Sequence, residues 1–171
     1  MNEVVKSFIA LDVETTGLDA GLHRVVEIAL VRFESGGETD AWSSLVNPGC
    51  NIPPEATAIH GISDREAAGA PTFAELAPVV AGRMAGFPLL AYNAPFDFGF
   101  LQIEMARAGR TVPPLAAWLD PLPLARSRLS YGRATLEVAC RELGVPLPHA
   151  HRAAADARAA GLLWLKLTGA N

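Results

Sequence analysis

Phe8-Ile9-Ala10-Leu11-Asp12-Val13-Glu14-Thr15-Thr16-Gly17-Leu18 is an apolar run that ends in two acids and a turn. The β-rich stretch from Lys6 to Val13 reads as a first strand, and along a strand residues i and i+2 share a face, roughly 6.5 Å apart. Asp12 and Glu14 therefore present two carboxylates side by side at the end of that strand. Burial of an unpaired carboxylate is expensive there, and a bound cation would remove the expense. The pair alone is a weak signal, since an exposed edge or turn often carries one. Its meaning depends on what the rest of the chain brings to it.

Outward from this strand, Val25 to Phe33 and Ala41 to Val46 are two more β-rich runs, with turns at Gly17-Leu18-Asp19-Ala20-Gly21 and Ser35-Gly36-Gly37-Glu38. The short Gly-Gly link predicts a hairpin between the second and third strands. Asn47-Pro48-Gly49 breaks the pattern, and Pro54 to Ile59 reads as a short helix closed by Gly61. Thr72 to Met84 has helical spacing, with Phe73, Leu76, Val79 and Val80 on one stripe and Pro78 marking the place for a kink. Leu89 to Tyr92 reads as a short buried strand. Asn93 can then cap a helix with Pro95 in its first turn and Gly109 as its stop. Trp118-Leu119-Asp120 is expected as a last strand, followed by helices over Leu122 to Arg126, Arg133 to Leu143 and Arg152 to Leu167. A β-meander followed by alternating helices and strands predicts an α/β sandwich around a mixed sheet. No repeat or linker divides the sequence, so residues 1–171 are expected to form one domain.

Half of the 171 residues are hydrophobic and 19% are charged, which excludes a disordered chain. No apolar stretch approaches the roughly 20 residues of a membrane span, and Met1-Asn2-Glu3-Val4-Val5-Lys6-Ser7 lacks the pattern of a secretory leader, so a cytoplasmic protein is expected. Cys50 and Cys140 lie far apart without CxxC spacing and read as two free thiols. The net charge of −4 argues against broad binding to nucleic acid until it is divided up. Asp12, Glu14, Asp97 and Asp156 supply four of the negative charges, and the remaining residues sum to zero. Two divalent cations would turn such a site from repulsive to attractive toward a phosphate. With no large basic face beyond the run Arg126, Arg128 and Arg133, contact with nucleic acid should be local and independent of sequence.

Asp97 falls in the first turn of its predicted helix, where a carboxylate also suits the positive helix end whatever the function. His151 precedes the final helix and Asp156 lies about one turn inside it. Oxygen-rich ligand sets favour magnesium or manganese, whereas zinc would recruit more histidine or cysteine. Two such ions about 4 Å apart can clamp the attacking and leaving oxygens of an in-line displacement at phosphorus. His151 can take the proton from the attacking water, the work of a general base for which histidine is the commonest choice. His149 reads as loop and His23 as surface.

Ala91-Tyr92-Asn93-Ala94-Pro95-Phe96-Asp97 and His151-Arg152-Ala153-Ala154-Ala155-Asp156-Ala157 follow the opening stretch in order, and the three segments together resemble the motifs of the DnaQ-like, DEDDh 3'-5' exonucleases. That family includes the proofreading epsilon subunit of bacterial DNA polymerase III, RNase T and oligoribonuclease. Ile59-His60-Gly61-Ile62, Leu119-Asp120 to Ala125-Arg126, and Thr135-Leu136 to Leu143-Gly144-Val145 extend the likeness from about Phe8 to Leu165. The resemblance implies an RNase H-like fold with a mixed five-stranded sheet flanked by helices. It implies Asp12, Glu14, Asp97 and Asp156 as ligands of two Mg2+ or Mn2+ ions, and His151 as general base. Thr15 and Thr16 would lie beside the terminal nucleotide, with His60, Asn93 and Phe96 lining the same pocket. Tyr92 stands where the family often has histidine.

The activity implied is removal of nucleoside 5'-monophosphates from the 3' end of single-stranded DNA, in proofreading or repair, with a DNA polymerase as a possible partner. An RNA-trimming enzyme of the RNase T or oligoribonuclease kind is the nearest alternative, and a non-catalytic RNase H-like binding module is the third. The chain stops at Asn171, soon after its final helix, which leaves little sequence for a polymerase-docking extension.

Overall fold

The computed structural model describes residues 5–129 and 134–169. Four strands, β1 (Phe8–Thr15), β2 (Val25–Glu34), β3 (Gly37–Leu45) and β4 (Leu89–Leu90), form one sheet in the order β3-β2-β1-β4. β1 and β3 pair antiparallel with β2, and β4 runs parallel to β1. Around the sheet lie α1 (Pro54–His60), α2 (Asp64–Ala68), α3 (Phe73–Met84), α4 (Ala94–Arg107), α5 (Pro121–Arg128), α6 (Leu136–Leu143) and α7 (Ala153–Thr168), with a 3-10 turn at Leu115–Ala117. The α/β sandwich with a mixed sheet is as expected, but the described residues form four strands and not five. Leu119 contributes a single parallel bridge to Leu90, accepting from Ala91 N–H at 3.1 Å and donating to Leu89 O at 2.8 Å. The ladder stops there because Asp120 turns to capping and Pro121 opens α5.

Side-chain alternation in β1 builds two cores. Ile9, Leu11 and Val13 pack with Phe73, Val80, Phe100, Leu101 and Met105 of α3 and α4. Phe8 and Ala10 join Ala29, Val31 and Phe33 of β2 beneath Ala153, Ala157 and Ala160 of α7. Cover on both faces explains why β2 reads as a nearly continuous apolar run. The small residues of α7 let the helix sit close to the sheet; a Cβ on Gly161 would fall 2.3 Å from the Phe33 ring. Leu163 and Leu167 of α7 also close a third cluster with Ala139 and Cys140 of α6 and Ala125 of α5.

Local rules explain most element boundaries. Ser35 and Gly36 both adopt positive φ, 53° and 85°, the pattern of a two-residue type I′ hairpin. β3 accordingly begins at Gly37, several residues before the expected Ala41. Thr72 and Glu75 form a capping box at α3, which then runs unbroken through Pro78. A second capping box, Ser63 with Glu66, starts α2, a short helix absent from the sequence expectation although its S-x-x-E signature was present. Thr135 caps α6, so that helix begins at Leu136; the earlier start expected at Arg133 lies outside the described residues.

One cap differs in kind. Asn93 was expected to cap α4 but adopts a left-handed conformation, φ 65°, and makes no side-chain cap. Asp120 does the work instead. Its carboxylate accepts from Asn93 N–H and Ala94 N–H at 3.0 Å and from Leu122 N–H at 2.9 Å, joining the starts of α4 and α5.

Candidate active site

Asp12 and Glu14 leave β1 on the face covered by α7, and Asp156 enters from the first turn of that helix. One carboxylate oxygen from each of the three lies within 4.8 Å of the other two. Asp97, in the first turn of α4, approaches from the opposite side of β1, with Oδ1 accepting from Val13 N–H at 3.1 Å. It stands beside the three-carboxylate cluster without joining it, and its charge is the largest of those acting on Asp12.

These groups repel one another in a poorly hydrated place. Burial first, then the charges of Asp97, Asp156, Glu14 and Glu27, hold the Asp12 carboxyl well above the usual carboxylate range. Burial likewise pushes Glu14 up to about 8, helped by Asp156 and Glu27 and opposed by Arg152. Asp156 rises to about 6 through burial, against the pull of a hydrogen bond from His151 N–H. Asp97 is raised by burial too, and the Val13 amide only partly offsets it. Asp156 Oδ1 is buried with no hydrogen-bond partner. Unpaired buried oxygen and crowded like charge are the conditions that divalent cations relieve, and an all-oxygen donor set suits Mg2+ or Mn2+. The residues present therefore fit the expected metal.

His151 sits in the turn before α7 with a left-handed backbone, φ 61°. Its N–H reaches Asp156 Oδ2 at 3.2 Å, and its Nε2 lies 2.9 Å from Glu137 Oε1 of α6. Both side chains of the latter pair are 46% exposed. Glu137 was not anticipated as a partner of this histidine.

Beside the carboxylates opens a cleft of about 610 Å³ lined by Glu14, Thr15, Thr16, His60 and Phe96 among others, with the exposed side chains of Leu18 and Ile59 at its walls. His60 Nδ1 accepts from Ile62 N–H at 3.0 Å, so the neutral ring carries its proton on Nε2. Nε2 is buried, and burial holds the His60 pKa below its ordinary value against the opposing pull of the Thr15 backbone. Asn93 lies apart from this cleft, in a neighbouring groove of about 690 Å³ with Tyr92, Arg126 and Thr135. Tyr92 turns its hydroxyl away from the carboxylates, donating to Ala134 O at 2.8 Å.

Besides Glu137, two more residues of this region escaped the sequence reading. His23, taken as surface, is half-buried over Gly17, lines the cleft and meets Thr16 Oγ1 at 3.2 Å. Glu27 is a buried acid in the middle of apolar β2, directly opposite Glu14 in the strand register. A single charge inside Val25-Val26-Glu27-Ile28-Ala29-Leu30-Val31 was the available signal, since it demands a partner.

A mixed sheet with helices on both faces and a carboxylate cluster at the end of β1 define the RNase H-like exonuclease fold. The chain belongs to the RNase_T exonuclease family, whose profile matches residues 9–163. A PolC-type DNA polymerase III from Clostridium perfringens is 31% identical over 153 residues, covering 89% of this chain but 10% of the polymerase. The DNA polymerase III subunit epsilon of Treponema pallidum is 32% identical over 155 residues, 89% of this chain and 72% of that protein. Exonuclease X, solved in complex with 5' overhanging duplex DNA, matches with a TM-score of 0.73 at 25% identity over 95% of this chain and 91% of its own. The chain spans about a tenth of the length of the first PolC-type relatives it matches. Among the described residues no helix is long and apolar enough to cross a membrane.

Proposed function

We propose that this chain is a 3'-5' exonuclease that hydrolyses the terminal phosphodiester of single-stranded DNA and releases nucleoside 5'-monophosphates. The observation that carries the reading is the meeting of Asp12, Glu14 and Asp156 within 4.8 Å, in surroundings that penalise their charge. Asp12, Glu14, Asp97 and Asp156 would hold two Mg2+ or Mn2+ ions. When bound, such ions stabilise charge developing on the phosphoryl oxygens and make water acidic enough to attack near neutral pH.

The protein's own groups have distinct tasks. His151 accepts the proton of the attacking water as general base. Its Nε2 first leaves Glu137, at small cost, because both side chains are about half exposed and a polar contact at such a surface contributes little. The terminal nucleotide occupies the cleft, where Phe96 offers an aromatic face for stacking and His60 packs into the wall. Thr15 and Thr16 form the floor beside the reacting phosphate. Asn93, in the adjoining groove, would meet the strand beyond the terminal nucleotide. Kinship with an epsilon subunit supports a proofreading or repair setting with a DNA polymerase as partner.

Purified protein given Mg2+ or Mn2+ and matched DNA and RNA oligomers, labelled at either end, tests the reading. Mononucleotides should leave the 3' end first, with DNA preferred. Release of a 5'-terminal label first would refute it. Faster trimming of RNA, dinucleotides included, would move the enzyme to the RNA-processing class, and no turnover of either polymer would favour a binding module.

A further inference from the structure

We infer that Glu27 and Arg152 form a positioning clamp that fixes the start of α7, and with it His151 and Asp156, against the end of β1. The inference rests on the proposed nuclease reading for its activity test, and on geometry for its premise. Glu27 has a side chain only 5% exposed, yet it accepts three hydrogen bonds. Two come from the Arg152 guanidinium, Nε at 3.2 Å and Nη2 at 2.8 Å, and one from Ala153 N–H at 3.0 Å.

Each of these bonds lands on the segment that carries the chemistry. Arg152 occupies the N-cap position of α7 without capping it through its own side chain. Glu27, on β2, satisfies the first helical amide in its place. The residue before the clamp is His151, whose φ of 61° is a conformation that non-glycine residues keep only when neighbours enforce it. The residue one turn after it is Asp156, whose Oδ2 closes back on His151 N–H. Residues 151, 152 and 153 are thus tied one after another, two of them to Glu27. Because Glu27 stands directly across from Glu14, the clamp refers the helix to the very strand position that supplies the other carboxylates.

The fork of an arginine matters here. A guanidinium binds a carboxylate through two parallel bonds and fixes orientation as well as distance, which a lysine ammonium does not. Arg152 is about half exposed and turned to Glu27, so its role is to hold a ligand and a base in place rather than to touch the reacting atoms.

The test compares the parent with Arg152→Lys, Arg152→Ala, Glu27→Gln and the double variant Glu27→Gln/Arg152→Ala. The double variant keeps the local net charge and leaves an amide oxygen for Ala153 N–H, so it separates orientation from electrostatics. Outer-shell changes of this kind cost roughly 10- to 100-fold. Both non-conservative single variants should lose kcat on 3'-labelled single-stranded DNA by about that factor, with KM within about threefold, and Arg152→Lys should fall between them and the parent. The double variant should be no worse than the poorer single, because the pair acts as one unit. Calorimetric titration with Mn2+ alone should show weaker binding by the charge-matched double variant than by the parent. A rise in KM at constant kcat would make Arg152 a substrate contact and overturn the clamp. A lower melting temperature with parental kcat and Mn2+ affinity would reduce the pair to scaffolding and overturn it equally. A parent that degrades neither DNA nor RNA refutes the nuclease reading instead, and the Mn2+ titration still decides the clamp.

Discussion

Stripping divalent ions with EDTA and raising the pH from 5 to 8 should destabilise this protein. Asp156 stands at about 6 in the folded chain against an ordinary 3.8, and Glu14 at about 8 against 4.5, burial being the main cause in both. The folded state therefore keeps protons that the unfolded chain has already released, and unfolding gives them up. Stability from these groups is greatest below the unfolded values and is lost as pH rises through the folded ones. For Asp156 only the part of the shift above pH 5 falls in this range, about one pH unit and so about 1.4 kcal/mol. Glu14 retains contact with solvent and shares its repulsion with Asp156, so the two together amount to about 3 to 6 kcal/mol. At about 2–4 °C per kcal/mol for a chain of this size, the melting temperature should drop by at least about 6 °C. His60 acts the other way, since burial lowers its pKa and its contribution grows as pH rises toward 6.5. The interval from 6.5 to 8 therefore reports the most strongly raised acids, Glu14 together with Asp97 and Asp12, free of the opposing histidine. Scanning calorimetry in EDTA across this range, repeated with millimolar Mn2+, measures the effect, and the ion should flatten the slope. A melting temperature that stays constant or rises between pH 6.5 and 8 in EDTA would refute the account of the site as a cluster of mutually repelling buried acids.

Other perturbations have equally definite outcomes. His151→Ala should lower kcat by about 10²- to 10⁴-fold while calorimetry finds Mn2+ affinity nearly unchanged, since the histidine acts on the proton and not on the ion. Gly161→Ala, although a better helix former, should destabilise by about 1–3 kcal/mol in urea unfolding because its methyl group meets the Phe33 ring. Arg24→Ala should cost about 1–3 kcal/mol by the same assay, because a buried Glu104 loses the guanidinium that reaches it at 2.6 and 3.0 Å and keeps Arg107 at 3.4 Å.

The legible parts of the molecule are those governed by short-range rules. Alternation along Phe8 to Glu14 places Asp12 and Glu14 on one face, and the order of glycines, prolines and apolar spacings locates most helices within a residue or a few. What stayed hidden depends on partners far along the chain. The cap of α4 comes from Asp120, 27 residues after Asn93, so local preference assigned it to the wrong side chain. Glu27 finds Arg152 across 125 residues, and nothing near either one announces the other. The expected fifth strand failed for a related reason, since Asp120 was committed to two helix starts and could not extend a ladder. His23 looked like an exposed loop residue because only the folded turn lays it over Gly17.

α7 supplies Asp156 and the flanking His151, and it also roofs Phe8, Ala10, Ala29, Val31 and Phe33. β1 carries Asp12 and Glu14, and one distant helix both adds Asp156 to them and covers the apolar face behind them. Any perturbation that lifts α7 therefore disperses the carboxylate cluster and bares the sheet in the same movement, so that the integrity of the site and the cover of the core cannot be lost separately.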